Sequence, residues 1–306
     1  MTLLALTGGV GGAKLALGFA KVLPPEDVVF VVNTGDDFEH LGLHISPDVD
    51  TLTYTLAEVA NPVAGWGRKD ETWRFMDALE RFGGETWFRL GDADLALHLH
   101  RRTLLDAGRS LTDATNEIAS RLGVNHTILP MSDHPVRTRV VTPDGPLAFQ
   151  HYFVRDRCEP KAVGFEFAGA ETASLNPAIP FESLTAIVIC PSNPFVSVDP
   201  ILAVNGMRDA LLATGAPIVA VSPIVGGRAI KGPTAKMMRE LGIPTTTEAV
   251  AKHYTGLVTH FVIDKVDECA RAEVAALGME TATLQTVMTT LDHRTQLARS
   301  ILELIR

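Results

Sequence analysis

Two strings of residues in this 306-residue chain could do phosphate and metal chemistry. The first is Thr7-Gly8-Gly9-Val10-Gly11-Gly12-Ala13-Lys14, four glycines between an apolar run and a helical pattern. Glycines at such a junction let backbone N–H groups and a helix N-terminus come close to an anion. The spacing is not the GxxxxGK[ST] of a Walker A loop. Nor is it the dinucleotide fingerprint, because GxGxxG read from Gly9 ends on Lys14, where a small residue is needed for helix–strand packing. A plain tight turn from strand to helix is the alternative. The second string is acidic: Asn33-Thr34-Gly35-Asp36-Asp37, then Ser46-Pro47-Asp48-Val49-Asp50-Thr51. Carboxylates placed this way can aim into a cleft and suit Mg²⁺, which takes one or two of them together with substrate phosphates. The same acids can equally cap a helix over Thr51–Val59, Asp50 in particular.

Three further stretches carry polar groups at positions where a ligand could sit. Leu90-Gly91-Asp92-Ala93-Asp94 opens a helical pattern, and there capping is the default role of the acids. His98 and His100 flank Leu99 and cannot share a helix face, so no histidine receives a catalytic or metal role from its spacing. Cys190-Pro191-Ser192-Asn193-Pro194 makes a stiff loop after a strand-like run. It could hydrogen-bond a base, ribose or phosphate, or serve only as a turn. Ser222–Gly227 and Lys231–Lys236 add glycines and two lysines that could complete an anion pocket, with Lys236 equally able to be a solvated helix residue.

The elements that must position these groups show as short, continuous apolar runs: Leu3–Leu6, Val28–Val32, Thr127–Leu129, Ala186–Cys190, Ile218–Val221 and His260–Ile263. Such runs suit strands buried on both faces. Helical periodicity lies between them, across Glu71–Arg81, Asp113–Leu122, Pro200–Leu212, Asp267–Leu277 and Asp292–Ile305. The alternation predicts an α/β fold with a Rossmann-like, doubly wound, mainly parallel sheet. Arg137–Val141 and Leu147–Phe153, joined through Pro143-Asp144-Gly145-Pro146, read as a β-hairpin. With no Ser/Gly-rich linker, the chain reads as a single nucleotide-binding domain over 1–306. An accessory region, helical and including the hairpin, is inserted around 51–160.

Composition narrows the partners. Lys and Arg number 27 against 36 Asp and Glu, a net charge of −9, which argues against a duplex nucleic-acid or anionic-membrane binder. No apolar run reaches the length of a membrane span. The opening run lacks a basic flank and is interrupted by Lys14, so it reads as the first strand and helix rather than a leader. Cys158, Cys190 and Cys269 form no CxxC pair, which suits a reducing cytoplasm.

Taken together, the motifs resemble the 2-phospho-L-lactate transferase family of coenzyme F-420 biosynthesis. The matching stretches are Thr7–Lys14, Val32–Asp36, Ile45–Thr51, Leu90–Asp94, Ser110–Asp113, Leu129–Asp133, Pro191–Pro194 and Val221–Gly226, in consistent order over most of the chain. The resemblance implies an enzyme of the EC 2.7.8 class with a Rossmann-like core. Its reaction would move a phospholactyl, phosphoenolpyruvyl or phosphoglyceryl group from a guanosine-diphosphate-linked donor to the terminal ribityl hydroxyl of Fo, the deazaflavin precursor. GMP would leave. Mg²⁺ dependence, a cytoplasmic location and a homodimer are implied with it. Carried onto this chain, the resemblance puts Gly8, Gly9, Gly11, Gly12 and Lys14 on the donor phosphates and Ser192 and Asn193 on the guanosine side. It implies Asp48 and Asp50 as the catalytic acids that hold Mg²⁺ or orient the Fo hydroxyl, Asp36 as a further metal candidate, and Asp92, Met131 and Asp133 in the Fo pocket. The alternatives are a non-catalytic nucleotide-sugar-binding regulator of the gluconeogenesis-factor type and, with less support, a dinucleotide-dependent oxidoreductase.

Overall fold

In the computed structural model, which describes residues 1–305, the six apolar runs become strands of one sheet, joined by a seventh strand outside those runs. They are β1 (Leu3–Thr7), β2 (Val28–Val32), β3 (Thr127–Pro130), β4 (Ala186–Ile189), β5 (Ile218–Val221), β6 (His260–Asp264) and β7 (Glu280–Leu284). The spatial order is β7-β6-β5-β4-β1-β2-β3, and every pairing is parallel. Every residue of β1, β2, β4 and β5 is buried, because apolar layers cover both faces of the sheet. The two-residue period of a strand divides the side chains. Leu4, Leu6, Val29, Val31, Ile187 and Ile189 join one core; Leu3, Ala5, Val28, Phe30, Ala186 and Val188 join the other.

The second core is closed by α1 (Gly9–Val22) and the C-terminal helix Leu291–Leu304, through Leu15, Ala16 and Phe19 against Leu297, Ala298 and Ile301. The two helices cross so closely that a Cβ on Gly18 would lie 2.3 Å from the Arg294 carbonyl oxygen. The inserted segment between β2 and β3 supplies α2 (Pro47–Leu56), α3 (Arg74–Arg81), α4 (Asp92–Asp106) and α5 (Leu111–Arg121).

Several expectations change in detail. The helix after the acidic string starts at Pro47, four residues earlier than expected, so Asp48 and Asp50 lie in its first turn rather than before it. Pro200–Leu212 is not one helix. A π-helical turn, Pro194–Val198, leads into Asp199–Ala203, and a separate helix, Met207–Ala213, starts after Gly206 at φ 79°. The hairpin strand Arg137–Thr142 pairs with Gly145–Ala148 and also with Gly164–Ala168, and the chain coils into a π-helical turn at His151–Arg155 instead of continuing as strand. Asp267–Leu277 shortens to a 3₁₀ turn and the helix Arg271–Ala275.

The sheet order places the functional strings. From β1 the chain moves outward through β2 to β3, then returns to the other side of β1 at β4 and runs outward through β5, β6 and β7. Where the order reverses, between β1 and β4, the loops at the strand carboxyl ends diverge and leave a crevice. The glycine loop and the Pro191–Asn193 loop are those two loops.

Candidate active site

At the crevice the two loops are stitched together. The Ser192 hydroxyl donates to the Gly8 carbonyl at 2.8 Å and accepts from the Gly8 N–H at 3.3 Å. A Cβ on Gly11 would meet the Pro191 carbonyl oxygen at 2.3 Å, and one on Gly12 would meet Thr7 Oγ1 at 2.2 Å and Ser192 Oγ at 2.5 Å. These two glycines therefore let the loops touch. Gly9, at φ +63°, turns the chain into α1, whose N-terminus has no side-chain cap. Gly8, Gly9, Gly11, Lys14, Ser192 and Asn193 line a cavity of about 660 Å³; Gly12 is packed behind it. Asn193 Oδ1 caps the following π-helical turn by accepting from the Phe195 N–H at 3.0 Å.

Asp36 and Asp48 form the acidic part of the wall, 6% and 7% exposed. Burial pushes the Asp36 carboxyl well above the usual carboxylate range, and the Asp48 charge adds to it; Asp36 Oδ1 has no hydrogen-bond partner. Burial also raises Asp48, to about 6, against the Asn33 amide, which donates to its Oδ2 at 2.9 Å, and the Gly9 N–H. Asn33 is itself fixed: its Oδ1 accepts from the Gly35 N–H at 2.8 Å and its Nδ2 also donates to the Val196 carbonyl at 3.2 Å. Buried carboxylates whose proton affinity is raised by burial and by neighbouring acids, Asp48 on Asp36 and Asp37 on Asp48, attract a cation. An orphaned hard oxygen beside a second carboxylate fits Mg²⁺, whose remaining positions waters and phosphate oxygens fill. No group of three His, Cys, Asp or Glu side chains arranged for a metal occurs among the described residues.

Asp50 differs from the pair. It lines the same cavity, but both its oxygens are taken by the guanidinium of Arg101, a residue of α4. Beside it His98, 1% exposed, stands with Nδ1 3.8 Å from Asp50 Oδ2 and Nε2 3.3 Å from Asp94 Oδ1, and the Tyr54 hydroxyl donates to Asp94. Spacing along the chain gave His98 no role, because its partners come from α2 and from one turn back on α4.

Asp92, Met131 and Asp133 lie outside the cavity lining. Asp92 accepts from the Thr72 hydroxyl and from the Arg74 and Phe75 N–H groups at 3.2 and 3.1 Å; it caps α3, not its own helix, and these bonds, Thr72 first, hold its carboxyl low. Asp133 accepts from the Thr112 N–H and hydroxyl, both at 2.8 Å, at the start of α5. Met131 is 0% exposed within the core. Of the two lysines noted in the sequence, Lys231 lines the cavity and Lys236 does not; Lys236 is spent on Glu240 at 2.6 Å and on Tyr152 and Pro160.

The composition gave no hint of a further part of the wall, which is aromatic. Trp66, Trp73, Trp87, Phe88, Phe149 and Phe153 line it, and they include all three tryptophans of the chain. Lys231 Nζ donates to the Ala64 carbonyl at 2.8 Å and to the Val63 carbonyl at 3.4 Å, holding the segment before Trp66 beside Val10 of the glycine loop. Lys14 is lowered by burial and by the charges of Arg294 and Lys231, which makes this end of the cavity positive. The lining thus combines lysines that attract anions, buried carboxylates and a set of aromatic rings.

The family model described as 2-phospho-L-lactate transferase CofD matches residues 3–300. A phosphoenolpyruvate transferase of Streptomyces griseus subsp. griseus is 39% identical over 312 residues, covering 99% of this chain and 98% of its own. A 2-phospho-L-lactate transferase of Methanosarcina mazei is 35% identical over 303 residues, covering 98% of this chain and 99% of its own. Among solved structures, a member of the UPF0052 family from Bacillus halodurans aligns with a TM-score of 0.62 at 16% identity over 98% of both chains, a likeness of fold alone.

Proposed function

The chain belongs to the 2-phospho-L-lactate transferase family, a transferase of coenzyme F-420 biosynthesis, and from that premise we propose the following reaction. A phosphorylated three-carbon acid passes from a guanosine-diphosphate-linked donor to the terminal ribityl hydroxyl of Fo. A bond forms between the ribityl oxygen and the transferred phosphorus, and the bond from that phosphorus to the GMP oxygen breaks. The hydroxyl proton goes to the GMP phosphate or to solvent. Phosphenolpyruvyl comes first among the donors, since the relative named for phosphoenolpyruvate transfer is 39% identical and that named for 2-phospho-L-lactate 35%.

What carries this reading is the division of one cavity between the glycine loop with its acid pair and the aromatic wall. Phosphoryl transfer needs alignment and charge neutralisation more than a protein nucleophile. The uncapped N-terminus of α1, which opens on the glycine loop, and the Lys14 ammonium would face the donor phosphates. Asp36 and Asp48 would hold Mg²⁺, which when bound neutralises charge on the transferred phosphate. The tryptophan and phenylalanine rings of the lining offer the deazaflavin an aromatic surface, and Asp50 faces the cavity as acceptor for the ribityl hydroxyl. A cytoplasmic setting and a homodimer go with the same proposal.

The test is direct. Purified protein incubated with Fo, Mg²⁺ and the phosphoenolpyruvyl, phospholactyl or phosphoglyceryl donor should yield the phosphodiester and GMP with at least one of them. No product with any donor, together with tight binding of a UDP-sugar, would replace this reading by the regulator.

A further inference from the structure

Arg101 is the largest of the fully buried side chains, 1% exposed, and it does not line the cavity. Its Nη1 donates to Asp50 Oδ2 at 3.1 Å and its Nη2 to Asp50 Oδ1; Nη1 also reaches the His44 carbonyl at 3.4 Å. Nε has no partner. Removing a guanidinium and a carboxylate from water costs several kcal/mol per ion, and an apolar pair in their place is often as stable or more so. Stability alone is thus a poor reason for this pair. Its geometry gives a better one. A planar fork fixes both the position and the plane of the carboxylate it holds. Asp50, so gripped from behind, sits on the cavity wall in a row with Tyr54, Asp94 and His98, and Arg101 stands directly behind that row. The anchor comes from α4 and the anchored group from α2, so the inserted helices set where the acid points.

We propose that Arg101 is a positioning residue for the acceptor: it holds Asp50 so that the lone pairs left free receive the hydroxyl about to attack. The proposal deepens, and rests on, the reaction assigned above. It separates the acceptor side from the Asp36–Asp48 pair, which Arg101 does not touch.

The experiment compares Arg101→Lys, Arg101→Gln, Asp50→Asn and the Asp50→Asn/Arg101→Gln double variant, reading thermal midpoint, donor KM, and kcat and KM for Fo. Lysine keeps the charge and loses the fork. Arg101→Lys should stay folded, keep the donor KM within about twofold, and lose about tenfold or more in kcat/KM for Fo, the scale of one charge-assisted hydrogen bond. The double variant should be no worse than Asp50→Asn alone, because Arg101 acts through Asp50. A lowered thermal midpoint with kcat/KM for Fo unchanged in Arg101→Lys would reduce Arg101 to a core ion pair, and additive losses in the double variant would overturn the proposal as well. If Arg101→Gln fails to fold, Arg101→Lys decides. If the unmodified protein does not turn Fo over, the assigned reaction falls by itself. A crystal structure of Arg101→Lys then decides the positioning: an Asp50 carboxylate swung off the cavity wall supports it, and an unmoved one refutes it.

Discussion

Asp36 and Asp48 are unfavourable for folding in the state without a cation, and that has a measurable sign. A carboxyl whose folded pKa is raised stabilises the fold below its unfolded pKa, and that contribution is lost as pH rises through the folded value, about 6 for Asp48. At neutral pH the buried pair therefore weakens the fold unless a cation compensates it. Asp36→Asn removes one charge without changing shape. It should raise the thermal midpoint of the metal-free protein at pH 8, abolish the increment that Mg²⁺ gives the unmodified protein, and lower turnover by about a hundredfold or more. Melting curves with EDTA and with Mg²⁺, beside a turnover assay, check all three. An unchanged Mg²⁺ increment would show that the metal binds elsewhere. At this scale the sequence was a fair guide to which acids face the cavity. It could not separate Asp50 from Asp48, because Arg101, which claims Asp50, lies 51 residues further along on another helix.

Helix and loop boundaries decide which atoms face the ligand. The start of α2 was expected at Thr51 behind an Asp50 cap, whereas the helix begins at Pro47, a proline being suited to the first helical position. Ser46, at the N-cap position, gives no side-chain cap because its hydroxyl donates to Asp37 Oδ2 at 2.9 Å and so serves the acidic loop instead. The strands β1 to β6 were legible because a buried parallel strand is a continuous apolar run. The Gly206 break and the π-helical turn after Asn193 were not, because local periodicity there fits one helix just as well. The glycine loop was legible as a loop for anions but only half explained, since Gly11 and Gly12 answer to a segment about 180 residues away. Gly11→Ala tests that half. Its methyl would sit 2.3 Å from the Pro191 carbonyl and force the two loops apart. The expected cost is about 1–3 kcal/mol of stability, with a raised donor KM and little change in Fo binding. Urea unfolding and the two KM values decide it; a raised Fo KM with an unchanged donor KM would contradict the placement of the donor at these loops.

Across the whole molecule, the cavity exists only because the inserted region folds down over the strand ends of the sheet. The core supplies the glycine loop and the Pro191–Asn193 loop; the insertion supplies Asp50, Tyr54 and the tryptophans. The net charge of −9 argued only against polyanions, yet part of it is concentrated in Asp36, Asp48, Asp50 and Asp94 of the cavity lining, which Lys14 and Lys231 share. An aromatic content of 6% gave no sign of an aromatic wall, since what matters is that Trp66, Trp73 and Trp87 converge in space from loops and turns without periodicity. Their convergence makes a sharp prediction. Because the three are the only tryptophans in the chain, indole emission reports on this cavity and nowhere else. A planar heteroaromatic ring stacked on that wall should quench most of the emission, in proportion to occupancy, and with the same Kd at 280 nm excitation as at a wavelength that excites indole alone. The donor nucleotide, seated at the glycine loops, should quench less, acting on Trp66 alone, whose segment packs against Val10 and Lys231. Titrating Fo and the guanylylated donor separately into the Mg²⁺-loaded protein measures both, and equal quenching by the two would mean that the aromatic wall does not discriminate acceptor from donor.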